Sequence, residues 1–426
     1  MNKPEWKTQH YILLLQKKIK ILITNSVPLN GGDEALLRAT ELSLKKVFPD
    51  AEITALCSNA ALCRKYITDI LLDTDLEWVR TDKKNSREWM FFKIRRMLLL
   101  FLGIGWNSRF SLMWANKDEA RVKAIYRNCD LVISSAGGFL HDHYPIDKRM
   151  EGFKLAMSYK KPLILFAQSV GPFWKKDSIA AVQKEFPKMS AIILREKKSL
   201  KYLADVQLSD HNIYVTTDAA FLWRKLHPEL FVPKFGQVTT IAMCFRNWPV
   251  ENDRIEETIL KAVELCKFLL QNESRRIIFL STCQGIEGYI DDSCHAEIIV
   301  SKLPFAMQSR CEIDTQKYTT VDLISAYGKC DAFIGMRLHS AILSMLGGTA
   351  AMGIGYEDKT PGIFSMLGLQ DYQISFDENH ESWISCANHF LKNIDHIRRQ
   401  LPNVLDEASN IAMESLAITK RVIEKR

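Results

Sequence analysis

The chain has 426 residues, too many for one compact core and enough for two domains of about 200 residues each. Hydrophobic residues make up 47% and charged residues 25%, a balance that excludes extensive disorder. The formal net charge of +7 is too modest and too evenly spread for a nucleic-acid binder, and suits a protein that handles small anions or rests on an acidic membrane surface.

The N-terminal MNKPEWKTQHYILLLQKK has too short an apolar core for a signal peptide and no small-residue cleavage site, so a cytoplasmic location is expected, at the inner face of the membrane if the chain touches one. The ten cysteines show no CxxC spacing and read as reduced, packed side chains. IKILITNSV (19–27) reads as a buried strand, followed by Asn30-Gly31-Gly32-Asp33 and a helix over 34–47. Paired glycines there let backbone approach a ligand at a helix N-terminus, while Asp33 as helix N-cap explains the turn equally well. Further strands are expected over 51–57, 130–135, 162–170, 191–195 and 213–217, mostly separated by helices, which makes a parallel, doubly wound sheet.

One segment breaks that alternation. Residues 84–115 mix Lys93, Arg95, Arg96 and Arg109 with an apolar run from Met97 to Trp106, too short to cross a bilayer. It reads either as an interfacial anchor, with the cations toward lipid headgroups and Trp89, Trp106 and Trp114 at the boundary, or as a helix covering a core.

The turns after later strands carry chemistry. Gly137-Gly138 precede His141, Asp142 and His143, an incomplete metal set. Arg195 stands where AIIL ends, suited to gripping a phosphate or carboxylate, with a salt bridge to Glu196 as the plain alternative. Asp218 sits at a similar place. Residues 227–237 form a linker, and the pattern then restarts with strands over 238–245, 275–282, 331–336 and 349–356 and helices over 252–271, 293–302 and 338–346. In GMRLHSAIL, Arg337, Leu338 and His339 fall where a strand ends and a helix begins. The helix-start field disfavours an imidazolium there and a bound anion favours it, opposed influences suited to proton transfer. Lys359 follows the next strand. The architecture expected is α/β, with residues 1–230 and 231–380 as two Rossmann-like domains facing across a cleft and the helical 381–426 packing back on the first.

NGGDEAL, AGGFLHD, AQSVGP, LREKKS, TTDAAF, GMRLHSAI and GYEDK, in that order over about residues 20–365, resemble the motifs of the polysaccharide pyruvyl transferase family. The resemblance implies a GT-B-like fold and transfer of the pyruvyl group of phosphoenolpyruvate to a sugar of a cell-surface polysaccharide or its lipid-linked precursor, forming a cyclic ketal and releasing phosphate. It places Arg195, His339 and Lys359 around phosphoenolpyruvate, with Arg337 and Leu338 beside them. Phosphoenolpyruvate is the donor substrate and no cofactor or metal is expected. The chain departs from the family at Ala136, Ser169, Glu196, Ala219 and the Glu357-Asp358 pair. Gly31, Gly32, Gly137 and Gly138 are candidates for ligand approach, and Asp33, Asp142 and Asp218 for removing the sugar hydroxyl proton. A GT-B sugar-nucleotide glycosyltransferase and a non-catalytic assembly partner are the competing readings.

Overall fold

The computed structural model describes residues 18–76, 90, 94, 95, 97–99, 101, 102, 117–209, 212–246 and 253–425. The first half runs β1 (Lys20–Ser26), α1 (Gly31–Val47), β2 (Glu52–Cys57), α2 (Ala60–Tyr66), β3 (Leu71–Thr74), α3 (Lys117–Asn128), β4 (Leu131–Ser134), β5 (Gly137–Leu140), α4 (Ile146–Ser158), β6 (Leu163–Val170), α5 (Lys176–Glu185), β7 (Ala191–Leu194), α6 (Lys197–Asp205), β8 (Ile213–Val215) and α7 (Trp223–Leu226). Its strands form one eight-stranded sheet in the order β3-β2-β1-β4-β6-β7-β8, with β5 paired to β6. Its described strand pairs are parallel. Parallel strands are covered on both faces, which is why β1, β4, β6 and β7 are almost wholly buried and read as continuous apolar runs.

The second half repeats the plan with β9 (Thr240–Cys244), α8 (Asp253–Leu270), β10 (Arg276–Phe279), α9 (Ser293–Ser301), β11 (Cys311–Ile313), α10 (Thr320–Gly328), β12 (Ala332–Gly335), α11 (Leu338–Leu346), β13 (Ala350–Gly355), α12 (Lys359–Met366) and β14 (Gln373–Ser375). The sheet order is β11-β10-β9-β12-β13-β14. Both orders reverse direction once, between β1 and β4 and between β9 and β12. Open α/β sheets bind ligands at the carboxyl ends of the strands flanking such a reversal. The two reversals face each other, since Gly31 N–H donates to the Thr282 carbonyl at 2.7 Å across the halves.

The chain closes with α13 (His380–Lys392) and the 31-residue α14 (Ile394–Glu424). α14 lies against the first half, with Arg224 bonded to Asp406 at 2.8 Å and Thr216 to Ser415 at 3.0 Å. It also holds the second half, because Arg398 donates to the Gly236 and Asp331 carbonyls at 2.8 and 3.0 Å. The edge strands β3, β11 and β14, three or four residues long, escape a periodicity reading because so short a run has no pattern to show.

The 84–115 segment divides. Lys93, Arg96, Arg109, Trp89, Trp106 and Trp114 lie outside the described residues. Arg95 does not face lipid headgroups. It is 2% exposed and paired with Glu119, which also holds Lys123 at 2.7 Å, because a buried cation needs a carboxylate partner. The apolar side chains of the same turns point outward instead: Met90, Ile94, Met97, Leu98, Phe101 and Leu102 are all exposed, Phe101 by 89%.

Candidate active site

Each half contributes cations through turns at its strand ends. In the first half, Arg195 follows β7 and is 1% exposed. Its Nε donates to Ser169 Oγ at 2.7 Å and its Nη1 to Asp218 Oδ2 at 2.7 Å. Ser169, a departure from the family, is thus what orients the guanidinium. Glu196 is not the partner of Arg195; it accepts from Ser199 N–H at 2.9 Å as the N-cap of α6.

In the second half, His339 lies in the first turn of α11. Its Nε2 is 3.6 Å from the same Asp218 Oδ2 and is buried without a hydrogen-bond partner. One carboxylate therefore touches Arg195 from one half and faces His339 from the other. Burial alone would raise the Asp218 carboxyl, but Arg195 and then His339 outweigh it and hold it far below the usual carboxylate range.

The glycines make room for these two side chains. A Cβ on Gly32 would lie 2.6 Å from His339 Nδ1, and one on Gly138 would lie 2.8 Å from Arg195 Nη2. Gly137 adopts φ 149°, which only glycine tolerates well. Gly31 serves the Thr282 contact between the halves. So the glycines expected to admit a ligand admit the protein's own groups.

Three further expectations change. Asn30, not Asp33, caps α1, its Oδ1 accepting from Gly32 N–H at 2.9 Å. Asp33 is left in the cleft, where burial raises its carboxyl above the ordinary range against the pull of His339, Lys359, Arg195 and Arg337. Asp142 faces away, with Oδ2 accepting from the Trp174 and Lys175 N–H groups at 2.6 Å each. It cannot join His141 and His143 around a metal, and no group of three metal-ligating residues occurs among the described residues. Arg337 lines the cleft, but its guanidinium is clamped by Asp292 at 2.8 and 2.6 Å, so its charge is already answered.

Lys359 begins α12 and pairs with Glu357. Burial would lower it, yet the Tyr356 phenol and Glu357 outweigh that and hold it above the ordinary lysine value, so it stays protonated. These groups surround a cavity of about 240 Å³ whose lining includes Asp33, Arg149, Arg195, Arg246, Arg337, Leu338, His339 and Lys359. Six of its twenty lining residues carry or can carry positive charge against the one carboxyl of Asp33, which suits the space to a small, highly charged anion. Arg149 and Arg246 were missed in the sequence. Arg246 had a legible signal, since it closely follows β9 at the reversal of the second sheet and donates to Tyr356 Oη at 2.7 Å. Arg149, inside α4 and over the Phe139 ring, had none.

With this geometry in hand, comparison with known proteins is informative. The polysaccharide pyruvyl transferase family matches residues 30–358. The amylovoran biosynthesis protein AmsJ of Erwinia amylovora is 25% identical over 406 residues, covering 91% of this chain and 95% of that one. Among solved structures, Staphylococcus aureus MnaA with UDP matches at TM-score 0.57 and 11% identity, covering 94% of this chain and 95% of that one. Anabaena HepE with UDP-glucose matches at TM-score 0.54 and 11% identity, covering 96% and 99%. At that identity the structures speak for the fold alone, two Rossmann-like units facing across a cleft in the GT-B-like manner.

Proposed function

We propose that this chain, which belongs to the polysaccharide pyruvyl transferase family, moves the pyruvyl group of phosphoenolpyruvate onto a sugar of a cell-surface polysaccharide or its lipid-linked precursor. Family membership and the likeness to AmsJ make it a transferase of polysaccharide biosynthesis. The donor and the ketal chemistry are our reading, and the observation that carries them is the Asp218 carboxylate shared by Arg195 and His339.

Phosphoenolpyruvate is a compact, multiply charged anion near neutral pH, and Arg195 and Lys359 supply cations to the cavity that His339 also lines. Buried Nε2 of His339 donates a proton to the methylene carbon, and positive character builds at C2. Asp218, kept ionised, faces the ring that gives the proton. A sugar hydroxyl adds to C2, and Asp33, whose raised carboxyl makes it the strongest base of the three aspartates considered, takes its proton. The C2–O bond to phosphate then breaks, Arg195 and Lys359 holding the departing anion. A second hydroxyl of the same sugar adds to C2 and gives its proton back to His339, which closes the ketal, while the proton held by Asp33 leaves with the phosphate. Positioning and electrostatic stabilisation of this kind contribute the larger part of such a rate. Binding of phosphoenolpyruvate in preference to a UDP-sugar tests the reading against a sugar-nucleotide glycosyltransferase.

The exposed residues at 90, 94, 97, 98, 101 and 102 recur at helical spacing, while Arg95 and Leu99, one turn apart at the edge of that stripe, are buried. The surrounding sequence is basic (Lys83, Lys84, Arg87, Lys93, Arg96). We assign this stripe to an anionic membrane surface, where a lipid-linked acceptor would lie. No described helix is long and apolar enough to cross a membrane. The protein is expected to co-sediment with vesicles containing phosphatidylglycerol and to be released by the double variant Met97→Glu, Phe101→Glu. A wild-type protein that stays in the supernatant would contradict the assignment.

A further inference from the structure

The cation-lined cavity has a neighbour. A second cavity of about 200 Å³ shares Gly138, Tyr356 and Lys359 with it and extends along His141, His143, Ser169, Tyr202, Glu357 and Asp358. Its chemistry is different. Lys198, which belongs to this wall alone, is answered by Asp358, while Lys359 at the boundary of the two cavities pairs with Glu357. Tyr202 of the first half also donates to Asp358 of the second, which makes this space, like its neighbour, a product of both halves. Its wall carries the rings of His143, Tyr202 and Tyr356, and His143 packs edge-on against the half-exposed Trp174 outside it, ring centres 4.8 Å apart.

Two polar atoms in this wall lack the partners that buried groups ordinarily find. Glu357 Oε2 is taken by Lys359, but its Oε1 is buried with no hydrogen-bond partner. His141, 6% exposed, has its Nδ1 buried without a partner, while its Nε2 faces that oxygen from 4.0 Å, too far for a direct bond. Burial pushes the His141 imidazole down to about 4, so near neutral pH it is an uncharged ring with one N–H to give. An oxygen about 2.8 Å from both His141 Nε2 and Glu357 Oε1 would see them at roughly 90°, a normal arrangement for a group that accepts from one and donates to the other. A hydroxyl does both. A carboxylate or phosphate accepts only, and would meet Glu357 as a like charge.

We infer that the second cavity seats the acceptor as an uncharged, ring-form sugar, one hydroxyl held between His141 and Glu357 and the ring against the aromatic wall. The inference rests on the donor reading above, since it places the sugar beside the anion cavity, with Lys359 at the boundary. It gives the departing Glu357 of this chain a task, that of a sugar-binding carboxylate.

Saturation-transfer NMR with methyl glycosides of the common neutral hexoses, with phosphoenolpyruvate present, tests it on the wild type and on His141→Phe and Glu357→Gln. At least one glycoside is expected to receive saturation from the wild type. Its affinity is expected to fall about tenfold or more in each variant, the loss typical of a hydrogen bond to a buried partner. The shift in melting temperature on adding phosphoenolpyruvate should persist in both, which shows that they fold and that the donor cavity is intact. Absence of transfer to every glycoside, unchanged affinity in both variants, or tighter binding of a methyl uronoside than of its neutral counterpart would overturn the inference. Loss of the phosphoenolpyruvate shift in the wild type with glycoside binding retained would instead remove the donor reading and leave this cavity standing.

Discussion

His339→Ala is expected to lower phosphate release from phosphoenolpyruvate by about 10²–10⁴-fold, the range for loss of a positioned general acid. The expectation follows from the isolation of its Nε2, which is buried, makes no hydrogen bond and stands 3.6 Å from Asp218. Nε2 has no hydrogen bond to lose and Arg195 still answers Asp218, so the variant should lose far less stability than Asp218→Asn while losing turnover. Phosphoenolpyruvate binding should change far less than turnover, because Arg195 and Lys359 remain. Phosphate release measured with a panel of methyl glycosides, together with a melting curve, separates the two effects. Partial recovery on adding free imidazole would show that the missing function is proton transfer. Full release by His339→Ala would take this residue out of the chemistry.

The second large effect concerns stability. Asp218 is fully buried and bonded to Arg195, itself 1% exposed, so Asp218→Asn leaves a guanidinium in the interior without its counter-charge. Breaking one side of such a pair typically costs about 3–5 kcal/mol. Urea unfolding should show a loss of that order, and a loss below about 1 kcal/mol would contradict the pairing. The pH dependence has a definite sign. The folded carboxyl lies below its unfolded value, so its contribution is complete above the ordinary carboxylate pKa of about 3.9 and disappears as pH falls through the folded value. The wild type should therefore lose stability relative to Asp218→Asn only on strong acidification, below about pH 4. The variant should also lose turnover, since Arg195 and His339 no longer share an anchor.

What the sequence revealed and what it concealed divide along chain distance. Buried parallel strands announce themselves as unbroken apolar runs, so IKILITNSV and PLILFAQSV could be placed within a residue or two of β1 and β6. Residues just beyond such runs must lie at one edge of the sheet, which is how Arg195, His339 and Lys359 could be assigned to a common cleft. Pairings across the fold leave no local trace. Nothing near Arg337 points to Asp292, and nothing near Arg195 selects Asp218 over the adjacent Glu196. The purpose of Gly32 and Gly138 was hidden for the same reason: each is small because a side chain distant in sequence occupies the space beside it. Asp142 stood among the candidate bases because it follows Gly137-Gly138 beyond a strand end, whereas the turn before α5 needed its carboxylate for backbone N–H groups.

The most direct measurement is calorimetric titration of phosphoenolpyruvate into the wild type and into Arg195→Met and Lys359→Met, one cation from each half. Each variant is expected to bind at least about tenfold more weakly than the wild type, as befits loss of a charge-assisted contact, with no heat from a UDP-sugar. Undiminished binding after removal of Lys359, or binding of the UDP-sugar in place of phosphoenolpyruvate, would contradict a donor site built from both halves of the molecule.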